Sequence, residues 1–362
     1  MDAPTAEGRA QPAVSKTFDQ EGPNLDVMRS LAVMFVVTFH ISLFFRLLPS
    51  NSPFYNLGHW GVIMFFVHTS FVLIASLERQ RERRPERSLF VPFFTRRIFR
   101  IAPLATLIIL AIAVLRLPVA HLRDGHFQGI SITPSGVIAN LLFVQNLTDS
   151  DSLEAPMWSL PYEMQMYLVL PILYLLVRRI STTIGLLGWW LTASLICLLC
   201  VRFGAQNPNG SLAYVPCFLA GVGAYGLLRL PHNKRRFALW PVTLAACTLL
   251  YLWHPTLPMS WACCLALAIA ISRCSAMQRG TVSRACHLIA RYSYGIYLTH
   301  FICIWLAFSS LANLSWPLKV CVFLITTIAL PIGLYHFVEA PMIDWGRRLT
   351  GNAGFRKSTA SG

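Results

Sequence analysis

The chain has 362 residues, of which 55% are apolar or aromatic and only 12% charged, with a mean hydropathy of +0.56. Soluble domains carry about 25% charged residues, so this composition excludes a disordered chain, a collagen, a disulfide miniprotein and an ordinary cytosolic enzyme. Against that apolar background stands a formal charge of +15, from 30 Lys+Arg and 15 Asp+Glu.

Surplus base either binds nucleic acid, as a stripe interleaved with stackable aromatics, or marks the cytoplasmic loops of a membrane protein. Position along the chain decides between them. Crossing a bilayer takes about 20 apolar residues. Runs of roughly that size stand at 30–48, 59–77, 98–115, 163–177, 183–201, 211–228, 237–253, 257–272, 292–312 and 317–337. They predict an all-α polytopic membrane protein with about ten transmembrane helices. The stretch 138–144 is too short to cross and is assigned to a long outer segment, 117–161, folded against the bundle or dipping into it.

With that alternation, only Arg46, Arg116, Arg123, Arg202 and Lys319 fall on the outer side. Every other Lys and Arg falls on the inner side, so both termini are expected in the cytoplasm and nucleic acid is not an expected partner. One membrane domain is expected over 25–350, between a disordered cytoplasmic tail at 1–24 and a second cytoplasmic tail at 351–362. The first tail does not read as a cleavable signal. All 10 cysteines stand at or after Cys197. Cys197 and Cys200 form a C-x-x-C inside a continuous apolar run, where small apolar packing outweighs redox or zinc chemistry.

Ionisable residues inside hydrocarbon are costly and point to function. Arg29 is expected at the cytoplasmic edge of the first span and His40 lies 11 residues on, about 16 Å along a helix and near mid-membrane. Eleven residues is close to three turns, so both project to a similar face. A lone histidine there is read more readily as an interhelical hydrogen-bond partner, but its companions shift the balance. Arg97 and Arg100 are three apart, hence on one face at the inner start of the third span, and paired guanidinium groups grip phosphates with bidentate hydrogen bonds. Glu163 is expected within the membrane at the outer start of the fifth span, and Glu339 and Asp344 at the cytoplasmic end of the last. The run from Arg79 to Arg87, interleaved with Glu78, Glu82 and Glu86, reads as a solvated loop.

Leu25-Asp-Val-Met-Arg29-Ser-Leu-Ala with His40 resembles the first-helix motif of the acyltransferase-3 family of integral membrane O-acyltransferases. Gly61-Val-Ile-Met-Phe-Phe-Val-His68 is similar to its second-helix G-V-x-x-F-F-V-x-S-G motif, and Arg97-x-x-Arg100 to its R-x-x-R. Asn140-Leu-Leu-Phe-Val-Gln-Asn146 and Trp158-Ser-Leu-Pro-Tyr-Glu163-Met-Gln-Met-Tyr167 resemble N-L-x-F-x-Q and W-S-L-x-x-E-x-x-F-Y. Near the end, Tyr292-Ser-Tyr-Gly-Ile-Tyr297-Leu-Thr-His300 and Phe337-Val-Glu339-Ala-Pro341 match S-Y-x-x-Y-L-x-H and x-E-x-P. Each motif is weak alone, and the ordered set over 25–341 is strong. Two departures stand out. Thr69-Ser70 replaces the usual Ser-Gly, which bears on helix packing, and Pro161 precedes Tyr162-Glu163, which bears on the pose of Glu163.

The resemblance implies transfer of an acyl group, typically acetyl from acetyl-CoA, to a hydroxyl, usually on a glycan or lipid-linked sugar. Arg29, Arg97 and Arg100 would hold the phosphates of the acyl-CoA. His40 would be the general base, a role that suits neutral imidazole, with Asp26 or another acid orienting it. Glu163 would act on the acceptor side, by hydrogen bonding or as a second acid–base group. Trp158 would stack a sugar ring or sit in an interfacial belt, and Tyr297 and His300, three apart on the ninth span, would pack or line the acceptor site. The reaction calls for no metal. A bacterial inner membrane is the expected location, with lipids as neighbours. Rival readings are a proton-coupled transporter, a scaffold without chemistry, and an acyltransferase acting on a small hydrophobic metabolite. Within the first, no half-to-half similarity is found.

Overall fold

Backbone polar groups in hydrocarbon must be satisfied within their own segment, so each apolar run folds as a helix. The computed structural model describes residues 14–49, 51–83, 89–204, 210–231 and 239–351. Residues 1–13 and 352–362 of the expected tails lie outside the described residues. So do Arg9, Arg84, Arg87, Lys234, Arg235, Arg236, Arg356 and Lys357 of the expected inner basic set.

The described residues form α1 (Val14–Phe44), α2 (Leu57–Arg83), α3 (Phe90–Leu115), a hairpin of β1 (His121–Arg123) and β2 (His126–Gln128), and α4 (Pro134–Leu141). There follow α5 (Leu160–Val177), α6 (Thr183–Arg202), α7 (Ser211–Arg229), α8 (Leu239–Trp253), α9 (Leu257–Arg273), α10 (Thr281–Ile304), α11 (Trp316–Leu334) and α12 (Ala340–Leu349). Each expected span falls on one of α1–α3 or α5–α11. Among the described residues, seven helical stretches are long and apolar enough to cross a membrane, and α8 and α9 are apolar but shorter. Arg284, His287 and Arg291 make the first half of α10 polar. The protein is therefore all-α and polytopic, with one hairpin among the described residues. α1 begins at Val14, inside the segment expected as a tail.

Local chemistry sets several starts. Thr133 caps α4 by accepting from Gly136 N at 3.1 Å, and Thr182 caps α6 by accepting from Gly185 N at 3.1 Å. α4 has 8 residues, about 12 Å of helix, and cannot cross.

Small residues let the central helices approach closely. α2 packs on α1, α5 and α7, and α7 also packs on α6 and α9. A Cβ at Gly61 would meet Ala32 O of α1 at 2.5 Å, and one at Gly221 of α7 would overlap Ser70 Oγ and Val67 O of α2. The glycine that α2 lacks at Ser70 is thus supplied from the facing helix.

Asp124 and Gly125 both have positive φ, 51° and 74°, so the hairpin closes through a two-residue turn of the kind Asp-Gly favours. The guanidinium of Arg46, at the end of α1, donates to Asp124 O and ties the turn down. Between α4 and α5 the chain enters the bundle. Glu154, Pro156, Met157, Ser159 and Leu160 are buried, and the Tyr297 hydroxyl donates to Pro156 O at 2.5 Å. The first residues of α5, Leu160 and Pro161, are accordingly buried as well.

Candidate active site

A narrow cavity of about 90 Å³ lies among α1, α2, α3, α5 and α10. Arg29, Arg97, Arg100, Glu163 and Tyr297 line it, together with His68, Thr69, Ser159, Tyr167 and Ser293. Arg29 Nε donates to Ser293 Oγ at 2.6 Å, which joins α1 to α10. Glu163, in the first turn of α5, accepts from Tyr167 Oη one turn later and from Thr69. Its charge faces both Arg29 and Arg97. Tyr297 donates to Pro156 O and accordingly accepts from Ser159 Oγ at 2.9 Å. His68 Nδ1 and Arg97 Nε are buried without a hydrogen-bond partner among the described residues. A buried polar atom left unmatched is expensive, so both are poised for a group that enters the cavity.

Arg29, His68 and Arg100 also line a wider cavity of about 430 Å³, which continues past Asp26, Arg79, His287 and Arg291. Glu339, buried at the end of the wide helical turn 335–339, faces Arg100 and Arg29 electrostatically. Neither of its carboxylate oxygens has a hydrogen-bond partner among the described residues.

His40 stands apart from the narrow cavity, further along α1. Its Nδ1 is 3.0 Å from Nε2 of His300 on α10. The Nδ1 of His300 faces the carbonyls of Tyr297 at 2.8 Å and Ile296 at 3.1 Å. Carbonyls only accept, so His300 carries its proton on Nδ1 and presents Nε2 as an acceptor. His40 must then donate from Nδ1, which leaves its Nε2 with a free lone pair. Phe301 lies edge-on to the His40 ring at 4.9 Å and Phe39 is tilted against it at 5.1 Å. Phe127 of the hairpin packs on Phe44 and Phe301 and roofs this end.

The family model described as an acyltransferase domain, Acyl_transf_3, matches residues 23–336, which include every side chain just placed except Glu339. The chain belongs to the acyltransferase-3 family. YrhL of Bacillus subtilis (strain 168), named as a proposed peptidoglycan O-acetyltransferase, is 25% identical over 362 residues, covering 90% of this chain and 55% of that protein. The acyltransferase MdmB of Streptomyces mycarofaciens is 27% identical over 228 residues, covering 60% of this chain and 52% of that protein. The chain spans about half the length of these curated relatives. No solved structure matches it.

Within this acyltransferase-3 chain, one sequence expectation needs correction. Asp26 does not orient His40. It lies 14 residues earlier on α1, about 21 Å along the axis, and pairs with His287 Nδ1 at 2.8 Å. Glu163, expected to act on the acceptor side, shares the narrow cavity with Arg29, Arg97 and Arg100. Because the segment before α5 dips inward, Glu163 meets the arginines of α1 and α3. Trp158 joins an aromatic cluster with His59, Tyr162 and Tyr214, at ring distances of 5.7, 5.9 and 5.6 Å. His59 itself bridges Tyr251 Oη (2.6 Å) and Tyr214 Oη (3.3 Å). Tyr297 lies on the cavity wall and His300 against His40. Sequence reasoning missed Ser293 and Tyr167 as partners, although both lie inside quoted motifs, and His68, which stands at a variable motif position.

Proposed function

We propose that this protein is a membrane O-acyltransferase that moves an acyl group, acetyl in the simplest case, from acyl-CoA to a hydroxyl of an extracytoplasmic or lipid-linked glycan of the cell envelope. The observation that carries this reading is the His40–His300 pair, whose hydrogen-bond chain leaves His40 Nε2 unprotonated above an arginine-lined cavity. The acceptor hydroxyl gives its proton to His40 Nε2 as its oxygen attacks the thioester carbonyl. The C–S bond then breaks, and the thiolate recovers the proton from His40. His300 positions the base and does not touch the reacting atoms.

The narrow cavity suits a thin acyl-bearing arm, and the wider one at its mouth suits the bulky end of the donor. Arg29 and Arg100, which line both, hold the innermost phosphate at the throat. Arg97 lies deeper and faces Glu163, which keeps the two cationic helices together. In this arrangement α1–α3 and α5–α11, the shorter α8 and α9 included, each cross the membrane, both termini are cytoplasmic, and the donor reaches the protein from the cytoplasm of a bacterial cell at its inner membrane. A second acceptor class is favoured by one observation. The rings of Phe39, Phe44, Phe127 and Phe301 around and above His40 suit a small hydrophobic hydroxyl compound.

The test is release of CoA thiol from acetyl-CoA by the purified chain supplied with acceptor, alongside mass spectra of surface glycans with and without the gene. His40→Ala is expected to abolish release and the acyl mass increment. A His40→Ala protein that inserts normally and retains full transfer would overturn the assignment.

A further inference from the structure

The wider cavity adjoins another of about 790 Å³, and Asp26 and His287 line both. The walls of the second also carry Arg279 and Arg284. Arg284, His287 and Arg291 follow one another at spacings of three and four on α10, hence on one face. With Arg29, Arg79 and Arg100, the two cavities are lined by six arginines. Among the described residues lining them, Asp26 is the one carboxylate.

That carboxylate is already engaged. Arg291 Nη2 donates to His287 Nε2 at 3.2 Å, so His287 accepts there, carries its proton on Nδ1 and gives it to Asp26 Oδ2 at 2.8 Å. A neutral imidazole thus stands between the lone acid and Arg291, and the cationic wall keeps its charge. A topological signal needs arginines on the cytoplasmic side. It does not need them gathered on the walls of a groove that narrows into the catalytic cavity.

We propose that this groove, with Arg279, Arg284 and Arg291 as its anion-binding residues, is the dock for the multiply phosphorylated nucleotide end of the acyl donor. The inference rests on the acyltransferase reading and assigns the phosphates to residues beyond Arg29 and Arg100. With the innermost phosphate at Arg29 and Arg100 and the rest of the polyanionic head on Arg284 and Arg291, an uncharged arm is left to enter the narrow cavity. Arg284 precedes His300 by 16 residues, about 24 Å along α10, so head and reacting end are separated along a single helix.

The experiment uses the purified full chain in nanodiscs, with CoA as the binding probe. The measurements are its Kd and the ratio of kcat/KM for acetyl-CoA over S-acetyl-pantetheine, which lacks the nucleotide. Arg284→Gln and Arg291→Gln are each expected to raise the Kd about tenfold, the worth of one charge-assisted phosphate contact. They should also cut the preference for the full donor to a similar degree, with Arg284→Lys recovering part of it. Arg202→Gln, at the far end of α6, controls for net charge. If wild-type protein binds CoA and both glutamine variants bind it within twofold, the groove assignment fails while the acyltransferase reading stands. If the wild type neither binds CoA nor releases it from acetyl-CoA, the reading itself fails. If the substitutions weaken only retention on phosphatidylglycerol relative to phosphatidylcholine vesicles, the groove holds lipid headgroups and the inference is overturned.

Discussion

Nε2 of His300 stands 3.0 Å from Nδ1 of His40, and the Tyr297 carbonyl 2.8 Å behind His300 decides which way the shared proton points. Because the carbonyl cannot donate, the tautomer of both rings follows from the backbone of α10. A base made ready in this way needs no carboxylate, which is why Asp26 can sit about 21 Å away.

His300→Ala should therefore lower kcat and leave the donor KM within twofold. Loss of the partner that orients a metal-bound histidine costs about 10–100-fold, and a loss of at least that size is expected here; loss of a general base itself costs about 10²–10⁴-fold. The double variant with His40→Ala should be no slower than His40→Ala alone, since the two rings act as one unit. Steady-state CoA release measures all three, and additive losses would separate the two roles.

Asp26→Asn offers the complementary measurement. An acid that oriented His40 would take a large share of kcat with it. In this structure Asp26 instead holds His287 at the mouth of the wide cavity, so kcat should change less than threefold. The apparent affinity for the anionic donor should rise, because a negative charge leaves the groove.

The helices and the Arg29–His40 relationship were legible because they depend on quantities a sequence states directly, namely apolar run length and residues per turn. Arg97 and Arg100 were legible for the same reason. Only the second half of α10 reads as part of an apolar run, 292–312, since Arg284, His287 and Arg291 depress the hydropathy of its first half. The meeting of Glu163 with Arg29 and Arg97 was not legible. It depends on the buried passage from Glu154 to Leu160 and on its anchor at Tyr297, a contact across 141 residues. The His40–His300 pairing, across 260 residues, likewise belongs to tertiary packing, and motif order alone does not say which two motifs touch.

Packing between α2 and α7 gives a stability test. A methyl at Gly221 would collide with Ser70 Oγ and Val67 O, whereas one at Gly223 meets nothing within 4 Å. Gly221→Ala should cost about 1–3 kcal/mol through overpacking and lower the thermal transition in detergent. Gly223→Ala should leave it unchanged. Equal transitions for the two variants would mean that the helices do not approach as closely as the structure shows.

Glu154 supplies the pH dependence. It lies in the segment entering the bundle before α5, fully buried, with neither carboxylate oxygen hydrogen-bonded among the described residues. Burial pushes its carboxyl well above the ordinary glutamate range, because the charged form has lost water and gained no partner. The native state therefore keeps this proton at pH values where the unfolded chain has released it. Its contribution to stability is fully present below the unfolded value, about 4.3, and is lost progressively as pH rises towards the folded value. Glu154→Gln removes the titration while keeping the shape of the side chain. Thermal transitions of the two proteins from pH 4 to pH 8 should show a steeper decline for wild type, with the Gln variant gaining relative stability as pH rises. A wild-type profile no steeper than that of Glu154→Gln would mean that the carboxylate has found a compensating partner in the native state.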